Sequence, residues 1–261
     1  MKPSSVSHVS LFGMKIDRVT LRGATDRVMD WCRDSRGESC RYVVTPNVDH
    51  AVQLSHNVPL QLSYAGAAMV LADGAPIVGA SRLLGQALPE RVAGSDLVPS
   101  VLAAAADSER PLRVFLLGAG PGVAERAAAN IHENYAGVEI VGTHCPPLGF
   151  EHDSEANQAA IDAVAAAKPD LLVVGLGAPK QELWVAKHHE QLDAKVALCA
   201  GATIDFLAGE KKRSPVWLQR LGLEWFHRLA TEPRRLLRRY ATDALVFPQL
   251  VWREWRRAGS V

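Results

Sequence analysis

The chain has 261 residues, 29 Lys and Arg against 28 Asp and Glu, and a formal net charge of +1. Hydrophobic residues make up 48% of it and charged residues 22%, a composition that excludes disordered, collagen-like and coiled-coil proteins. No uninterrupted apolar run reaches the roughly 18 residues that a membrane span needs. Residues 1–10 lack the basic and apolar segments of a signal peptide, so we expect a cytoplasmic location.

Short apolar runs alternate with longer segments of helical periodicity over the first 210 residues. Val, Ile and Leu fill both faces of several runs, which is typical of parallel strands covered on both sides. The alternation predicts an α/β fold, a Rossmann-like and mostly parallel sheet with flanking helices. In chain order the predicted strands are Arg41–Thr45, Ala68–Ala72, Arg113–Leu117, Glu139–Thr143, Asp170–Val174 and Lys195–Cys199. The predicted helices between them are Val48–Tyr64, Ser95–Ala106, Gly122–Asn134, Ser154–Ala167 and Lys180–Leu192, with Ser95 and Ser154 as N-caps.

The pattern changes after residue 209, because no further strand follows. Pro215–Ala230 and Arg234–Phe247 are predicted helices, with Pro233 and Pro248 as breaks. Residues 1–210 are therefore expected to form the α/β catalytic domain, and residues 211–261 a helical appendage.

The two parts differ sharply in charge. Residues 211–261 hold 12 Lys and Arg against 4 Asp and Glu, a net +8, and the first 210 residues hold 17 against 24, a net −7. A basic tail on an acidic body suits phosphates, a membrane surface or nucleic acid.

Polar or glycine residues follow five of the predicted strands. Ligands of open parallel sheets bind beyond the carboxyl ends of the strands, so these residues predict one polar rim around a pocket. The candidate residues of the rim are Thr45, Asn47, Asp73, Gly118, Gly120, Gln181 and Asp205.

Two interpretations of Asp73 stay open at this level. It follows a buried strand and precedes Gly74, so it is either a turn aspartate that caps a helix or a general base in a pocket. Asn47 carries the same ambiguity, whereas Asp205 has no evident helix to cap, which favours a ligand role. The glycines at 118, 120 and 122 either approach a phosphate or form a tight turn, and they match the dinucleotide fingerprint G-x-G-x-x-G imperfectly.

The sequence offers no metal or cofactor signature. Its four cysteines (Cys32, Cys40, Cys145, Cys199) form no C-x-x-C pair, and we expect them to be reduced thiols. There is no D-x-D motif, no H-x-x-x-H pair and no G-x-S-x-G nucleophile elbow. We therefore expect neither a metal site nor a cofactor.

The tail mixes arginines with aromatic residues. Three interpretations compete: a solvated helix face, a patch for anionic lipid or nucleic acid, and arginine forks that close over a nucleotide diphosphate. Trp252 and Trp255 among Arg253, Arg256 and Arg257 suit a membrane interface.

With these residues in view, the sequence resembles the WecG/TagA/CpsF family of bacterial glycosyltransferases. The resemblance runs from about Val43 to Tyr240 and consists of seven fragments in order. These are TPN (45–47), ADG (72–74), ERVAGSDL (90–97), VFLLGAGPG (114–122), VVGLGAPKQE (173–182), GATIDFLAGEKKRSP (201–215) and GLEWFHRLATEPRRLLRRY (222–240).

The resemblance implies an inverting, metal-independent transfer of a sugar from a UDP-sugar to a polyprenyl-diphosphate-linked saccharide at the inner membrane face, in exopolysaccharide, capsule or teichoic-type synthesis. Asp73 matches the catalytic base, and a neutral hexose is the favoured donor sugar, with an N-acetylhexosamine as the other type. Nucleic acid is not a partner on this interpretation, and a homo-oligomer is left open.

The resemblance also implies site residues. The matching pocket residues are Thr45, Asn47, Arg91 and Gln181, and the matching appendage arginines are Arg228, Arg235 and Arg238. A nucleotide-dependent oxidoreductase and an arginine-tail nucleic-acid-binding module remain the alternatives.

Overall fold

The computed structural model describes residues 8–215, 217–218 and 222–258, apart from the side chains of Arg235 and Ala258. Within these ranges one parallel sheet forms the centre of the molecule, with helices on both of its faces. The predicted α/β fold with a C-terminal helical segment is thereby confirmed.

All six predicted strands are present and pair in parallel in the order β4-β3-β8-β7-β5-β6. The labels of these six strands begin at β3 because two other strands, β1 and β2, precede them in the sequence. The bounds are Arg41–Val44 (β3), Met69–Val70 (β4), Leu112–Gly118 (β5), Val138–His144 (β6), Leu171–Gly175 (β7) and Val196–Cys199 (β8).

The apolar runs are continuous because both faces of the sheet are covered. Along β5, Val114 and Leu116 belong to one hydrophobic cluster, while Phe115 and Leu117 belong to the cluster on the other face. Each of these side chains is at most 2% exposed. Full burial of such a side chain stabilises the fold by roughly 1.5–3 kcal/mol, so neither face of the strand tolerates a polar residue.

Four of the predicted helices are present, one of them with the predicted bounds and three with shifted boundaries. The bounds are Gly94–Ala104 (α5), Val123–Asn134 (α6), Ser154–Ala167 (α7) and Lys180–His188 (α8). The predicted N-caps were wrong by one or two residues. Asp153, not Ser154, caps α7 by accepting from the N–H groups of Glu155 and Ala156, and Ala93 precedes α5.

The predicted single helix over 48–64 is wrong, because the chain forms two helices there. Val48–Leu54 (α2) ends before Ser55, and Val58–Ala65 (α3) begins after Asn57. The Asn57 side chain accepts a hydrogen bond from Leu60 N–H at 3.1 Å, and Pro59 lies in the first turn. This N-cap and proline start a new helix instead of continuing the old one.

Several short elements were not predicted. An antiparallel hairpin of His8–Leu11 (β1) and Met14–Asp17 (β2) turns at Phe12 and Gly13, both with positive φ. The further helices are Leu21–Arg33 (α1), Ala75–Leu83 (α4) and Thr203–Leu207 (α9).

The C-terminal segment forms helices Glu224–Thr231 (α10) and Pro233–Ala258 (α11). The prediction of one helix over Pro215–Ala230 is wrong at residues 222–223, which are not helical, and its residues 216 and 219–221 lie outside the described residues. Pro233 starts α11, where a proline needs no N–H partner, but the predicted break at Pro248 is wrong because α11 continues through it. Phe247 packs on Phe12 with ring centroids 5.2 Å apart, and Leu250 is 8% exposed in the core, so packing holds the helix on both sides of the proline. No helix in the described ranges is long and apolar enough to cross a membrane.

Candidate active site

A cavity of about 390 Å³ lies between the carboxyl ends of β3 and β4 and the two C-terminal helices. Its volume falls in the roughly 300–1,000 Å³ range of small-molecule sites. The polar residues that line it from the α/β body are Asn47, Asp49, Asp73 and Arg91, and those from α10 and α11 are Glu224, Arg228, Arg239 and Asp243. The cavity therefore needs both parts of the chain.

Asp73 enters the cavity from the loop after β4. Its N–H donates to the carbonyl of Pro46 at 2.8 Å, which ties this loop to the loop after β3. Gly74 has a φ of +135°, a conformation that L side chains rarely adopt. The glycine turns the chain into α4 directly behind the carboxylate, so the sequence Asp-Gly is what presents Asp73 to the cavity.

The environment of Asp73 gives its carboxyl group an unusual proton affinity. Burial among protein groups raises the pKa of Asp73 to about 6, although Arg91 and Arg228 lower it. The carboxylates of Glu224 and Asp96 raise it further. A carboxylate of this pKa is ionised at neutral pH and close enough to neutrality to accept a proton from a reacting hydroxyl group.

Arg91 joins the carboxyl edge of the sheet to the appendage. Its guanidinium lies 3.5 Å from Asp73 Oδ1, 3.2 Å from Glu224 Oε2 and 2.6 Å from Asp96 Oδ2. Arg213 also pairs with Asp96. Arg91 thus faces three carboxylates at once, which fixes its position in the wall of the cavity.

Two arginines of the appendage reach the cavity. Arg228 lies over the ring of Phe206 with 5.8 Å to the centroid, and its Nε is 3.6 Å from Glu224 Oε1. Arg239 pairs with Asp49 of α2 at 3.6 Å. Both are placed to offset negative charge in the cavity, the role that forked guanidinium groups play toward phosphates.

The lining of the cavity also contains acidic and aromatic residues of the appendage. Asp243 of α11 is 6% exposed, and burial together with the nearby Asp49 carboxylate raises its pKa to about 6. The rings of Trp225 and Tyr240 lie edge-on at 6.3 Å beside it in the lining. Carboxylates accept hydrogen bonds from hydroxyl groups and aromatic rings offer apolar faces, so this part of the cavity suits a sugar.

The structure distributes the predicted appendage arginines differently. Arg228 lines the cavity, whereas Arg238 is exposed and outside the lining, and the side chain of Arg235 lies outside the described residues. Arg239 lines the cavity instead, although it is not among the appendage arginines that the family resemblance indicated. Successive helical residues point about 100° apart, and only the docking of α11 on α2 decides which of them faces inward.

Two of the predicted rim residues hold the loop after β3. Asn47 caps α2, because its side chain accepts from His50 N–H at 3.4 Å, and it also lines the cavity. Thr45 donates through Oγ1 to the carbonyl of Cys199 at 3.4 Å, which links β3 to β8, and it lies outside the lining. Gln181 is 3% exposed and its amide is bonded within the protein.

The glycine loop after β5 has a packing explanation. Gly118 has a φ of +109°, and a Cβ there would lie 2.6 Å from the carbonyl oxygen of Gly175 on β7. Gly120 has no such neighbour, since its Cβ would meet Val123 Cγ2 at 3.5 Å. Asp205 lies in the first turn of α9, so the expectation that no helix is present there is wrong, although Asp205 itself does not cap α9. None of these residues is in the lining of the cavity.

The acidic residues that complete the cavity could not be singled out from the sequence. Asp49 lies two residues beyond the TPN fragment, and Glu224 and Asp243 lie in helical segments that look like ordinary solvated faces. Within the described ranges, no group of three or more His, Cys, Asp or Glu residues is arranged to hold a metal ion.

Known proteins resemble this chain over most of its length. A family model described as Glycosyl transferase WecG/TagA/CpsF family matches residues 9–260. An N-acetylglucosaminyldiphosphoundecaprenol N-acetyl-beta-D-mannosaminyltransferase of Bacillus spizizenii is 32% identical over 194 residues, 74% of this chain and 72% of the relative. The enzyme of that name from Staphylococcus aureus is 29% identical over 236 residues, 89% of this chain and 88% of the relative. With an α/β sheet, a composite cavity and a match over nearly its whole length, the chain belongs to the WecG/TagA/CpsF family of glycosyl transferases.

Proposed function

We propose that the protein transfers a sugar from a UDP-sugar to a polyprenyl-diphosphate-linked saccharide, with inversion and without a metal ion, in the synthesis of a cell-surface polysaccharide. The observation that carries the proposal is Asp73, a carboxylate with a pKa of about 6 in a cavity that also contains Arg91 and Arg228. The names of the relatives support the acceptor class, because they specify N-acetylglucosaminyldiphosphoundecaprenol and a transferred β-linked sugar.

The proposed reaction is a single displacement in which Asp73 is the general base. Its carboxylate removes the proton of the acceptor hydroxyl group as the hydroxyl oxygen attacks the anomeric carbon of the donor. The bond from that carbon to the UDP oxygen breaks, UDP leaves with the electron pair, and the configuration inverts. One carboxylate suffices, unlike in a hydrolase that needs two.

The negative charge that develops on the leaving diphosphate needs a counter-charge. We propose that Arg91, Arg228 and Arg239, which line the cavity, supply it. Arg235, whose side chain lies outside the described residues, stays a predicted contact of the same kind, whereas the exposed Arg238 lies outside the lining. Preorganised cationic donors are worth more in a cavity than in water, because water no longer screens them. The absence of a D-x-D motif from the sequence supports a metal-free mechanism.

We propose that the donor occupies the carboxyl edge of the sheet. Thr45 and Asn47 would contact the sugar, and Gly118, Gly120 and Asp205 the nucleotide. The support is positional, since all of these residues lie at or just after the carboxyl ends of strands of one parallel sheet, where ligands of such sheets bind.

We also propose that the appendage docks on the inner face of the cell membrane. Trp252 and Trp255 are 55% and 59% exposed at the end of α11, and Arg253, Arg256 and Arg257 lie on the same two turns. Tryptophan rings favour the headgroup region, and arginines attract anionic lipid. A membrane-bound acceptor would then be delivered to the side of the cavity that α10 and α11 form.

The test is release of UDP by the full chain in detergent with a polyprenyl-diphosphate-linked N-acetylglucosamine acceptor. UDP-N-acetylmannosamine, UDP-N-acetylglucosamine and UDP-glucose are compared as donors, each with and without EDTA. We expect acceptor-dependent UDP release from one of them at an unchanged rate in EDTA. No release from any donor would refute the proposed transfer, and loss of release in EDTA would refute its metal independence.

A further inference from the structure

A chain of buried polar side chains lies behind the cavity, on the side of the rim away from the lining. His50 of α2 and Glu182 of α8 form its centre, with side chains 5% and 1% exposed. Tyr64 packs beside His50 with ring centroids 6.2 Å apart. Neither His50 nor Glu182 lines the cavity, so the proposed chemistry leaves both unused.

The polar contacts among these side chains run from the loop after β8 to the loop after β3. Gly201 N–H donates to Gln181 Oε1 at 3.1 Å, and Gln181 Nε2 donates to Glu182 Oε1 at 2.8 Å. The same Glu182 oxygen is 3.4 Å from His50 Nε2. On the other side of the ring, His50 Nδ1 lies 3.0 Å from Asn47 Oδ1 and 3.3 Å from Asn47 N. We call these four side chains (Asn47, His50, Gln181, Glu182) the rim relay.

The rim relay ends at the catalytic loop. Asn47 follows Pro46, whose carbonyl accepts the N–H of Asp73. The Cβ that Gly74 lacks would lie 3.8 Å from Asn47 Cβ, which is ordinary van der Waals contact. The loops after β8, β7, β3 and β4 are therefore connected through one continuous set of contacts.

Stability alone is a weak reason for such an arrangement. Removing a carboxylate and an imidazole from water costs several kcal/mol per charge, and apolar replacements of buried pairs are often neutral or stabilising. Burial lowers the pKa of His50, but Glu182, Asp49 and Asp73 together outweigh burial, so that the pKa lies above its usual value. The contact with Glu182 thus favours the protonated imidazole relative to the same ring buried without this partner.

We propose that His50 and Glu182 are positioning residues for sugar transfer, which hold the Asn47 and Asp73 loops in register with the loop after β8. This inference rests on the proposed function. His50 acts through Asn47 and Pro46, and Glu182 acts through His50, so neither touches the substrate. A change in either residue should slow the chemical step without weakening the nucleotide contacts.

The two ring contacts of His50 can be removed separately. An asparagine at 50 places an amide near the position of Nδ1 and can keep the contact to Asn47, whereas a glutamine reaches toward Glu182 and loses the contact to Asn47. We expect both His50→Asn and His50→Gln to lower kcat at least tenfold. The affinity for UDP, measured by calorimetry, should stay within threefold, because the Gln181–Gly201 contact remains.

His188→Gln is the matched control. Like His50, His188 is a buried histidine, but it lies on α8 and packs on Trp184 with ring centroids 5.3 Å apart. Among the described interactions it has no contact with the rim relay. We expect it to lower the melting temperature while kcat per folded molecule stays within twofold of the wild type. A purely structural role of His50 would give the same pattern in the His50 variants.

The outcomes separate this inference from the proposed function. Absence of UDP release from the wild type with every donor refutes the proposed function, and the relay falls with it. If the wild type is active and the His50 variants have the wild-type kcat, the rim relay is refuted while the proposed function stands. If the His50 variants melt below the assay temperature, Glu182→Gln provides the test, because it replaces only one carboxylate oxygen by an amide nitrogen. A lowered kcat at unchanged UDP affinity supports the relay, and a wild-type kcat overturns it.

Discussion

Replacing Asp73 by asparagine removes the proposed base with the smallest change of shape. A general base contributes about 10²–10⁴-fold to a rate, which corresponds to about 2.7–5.4 kcal/mol of barrier. We expect Asp73→Asn to lose kcat by this factor and to keep its affinity for UDP. The fold should not suffer, since the variant removes a carboxylate whose charged form is disfavoured by burial.

The pH dependence follows from the pKa of Asp73. Because the folded-state pKa is raised from 3.8 to about 6, the base form is lost as the pH falls through 6. We expect kcat/KM of the wild type to decrease about tenfold per pH unit below pH 6. The sign for stability is opposite, because the ionised form is the disfavoured one. The contribution of Asp73 to stability decreases as the pH rises from 4 to 6, so Asp73→Asn should melt no lower than the wild type at pH 8.

The measurement is initial-rate UDP release between pH 5 and 9, with UDP affinity and melting temperature determined on the same samples. Asp96→Asn is the control, because Asp96 contacts Arg91 as Asp73 does but lies outside the lining of the cavity. It should change KM more than kcat, and its kcat/KM should still decrease below pH 6 (the acidic limb of the profile). A kcat of Asp73→Asn within threefold of the wild type, or an acidic limb that persists in this variant, would refute the assignment.

Two further predictions concern the glycine loop and the tail. Gly118→Ala should destabilise the protein by about 2 kcal/mol or more in denaturant unfolding, because the new Cβ overlaps the Gly175 carbonyl at positive φ. Gly120→Ala should cost less than about 0.5 kcal/mol, and equal effects would contradict the packing explanation. Replacing Trp252 and Trp255 together by alanine should weaken binding to phosphatidylglycerol vesicles about tenfold, or roughly 1.4 kcal/mol. Replacing the fully exposed Leu148 should leave vesicle binding unchanged, and a loss there would show that the effect is not specific to the tail.

Much of the fold could be predicted because its signals are local. The central strands β5, β7 and β8 are short runs of mostly buried apolar residues, because both faces of the sheet are covered there. The edge strand β6 keeps polar, partly exposed positions. The hairpin β1–β2 escaped prediction because its strands alternate exposed polar and buried apolar residues and so form no continuous apolar run. The break between α2 and α3 was missed although Asn57 and Pro59 form a recognisable helix start, since the apolar spacing continues across it.

The candidate site was predicted in part for the same reason. Asp73 and Asn47 belong to turns that follow strands, and the topology of a parallel sheet brings such turns together whatever the details of packing. Arg91 lies between α4 and α5, and only the family resemblance indicated it. Gln181 is different: both ends of its amide serve contacts inside the protein. A residue type at a strand end therefore indicates the rim, but it does not distinguish a side chain that faces the cavity from one that braces it.

The sequence by itself determined the parallel α/β sheet, the polar rim at its carboxyl edge and the division of charge between an acidic body and a basic tail. Only the tertiary structure decided which tail residues meet the rim. The pairs Arg91–Glu224 and Asp49–Arg239 join residues more than 100 positions apart, and they form because α11 packs on α2 and through Phe247 on Phe12. The amphipathic pattern of a helix indicates its buried face but not the distant element that the face meets. The docking of α11 on α2 places Arg239 in the cavity and leaves Arg238 in the solvent.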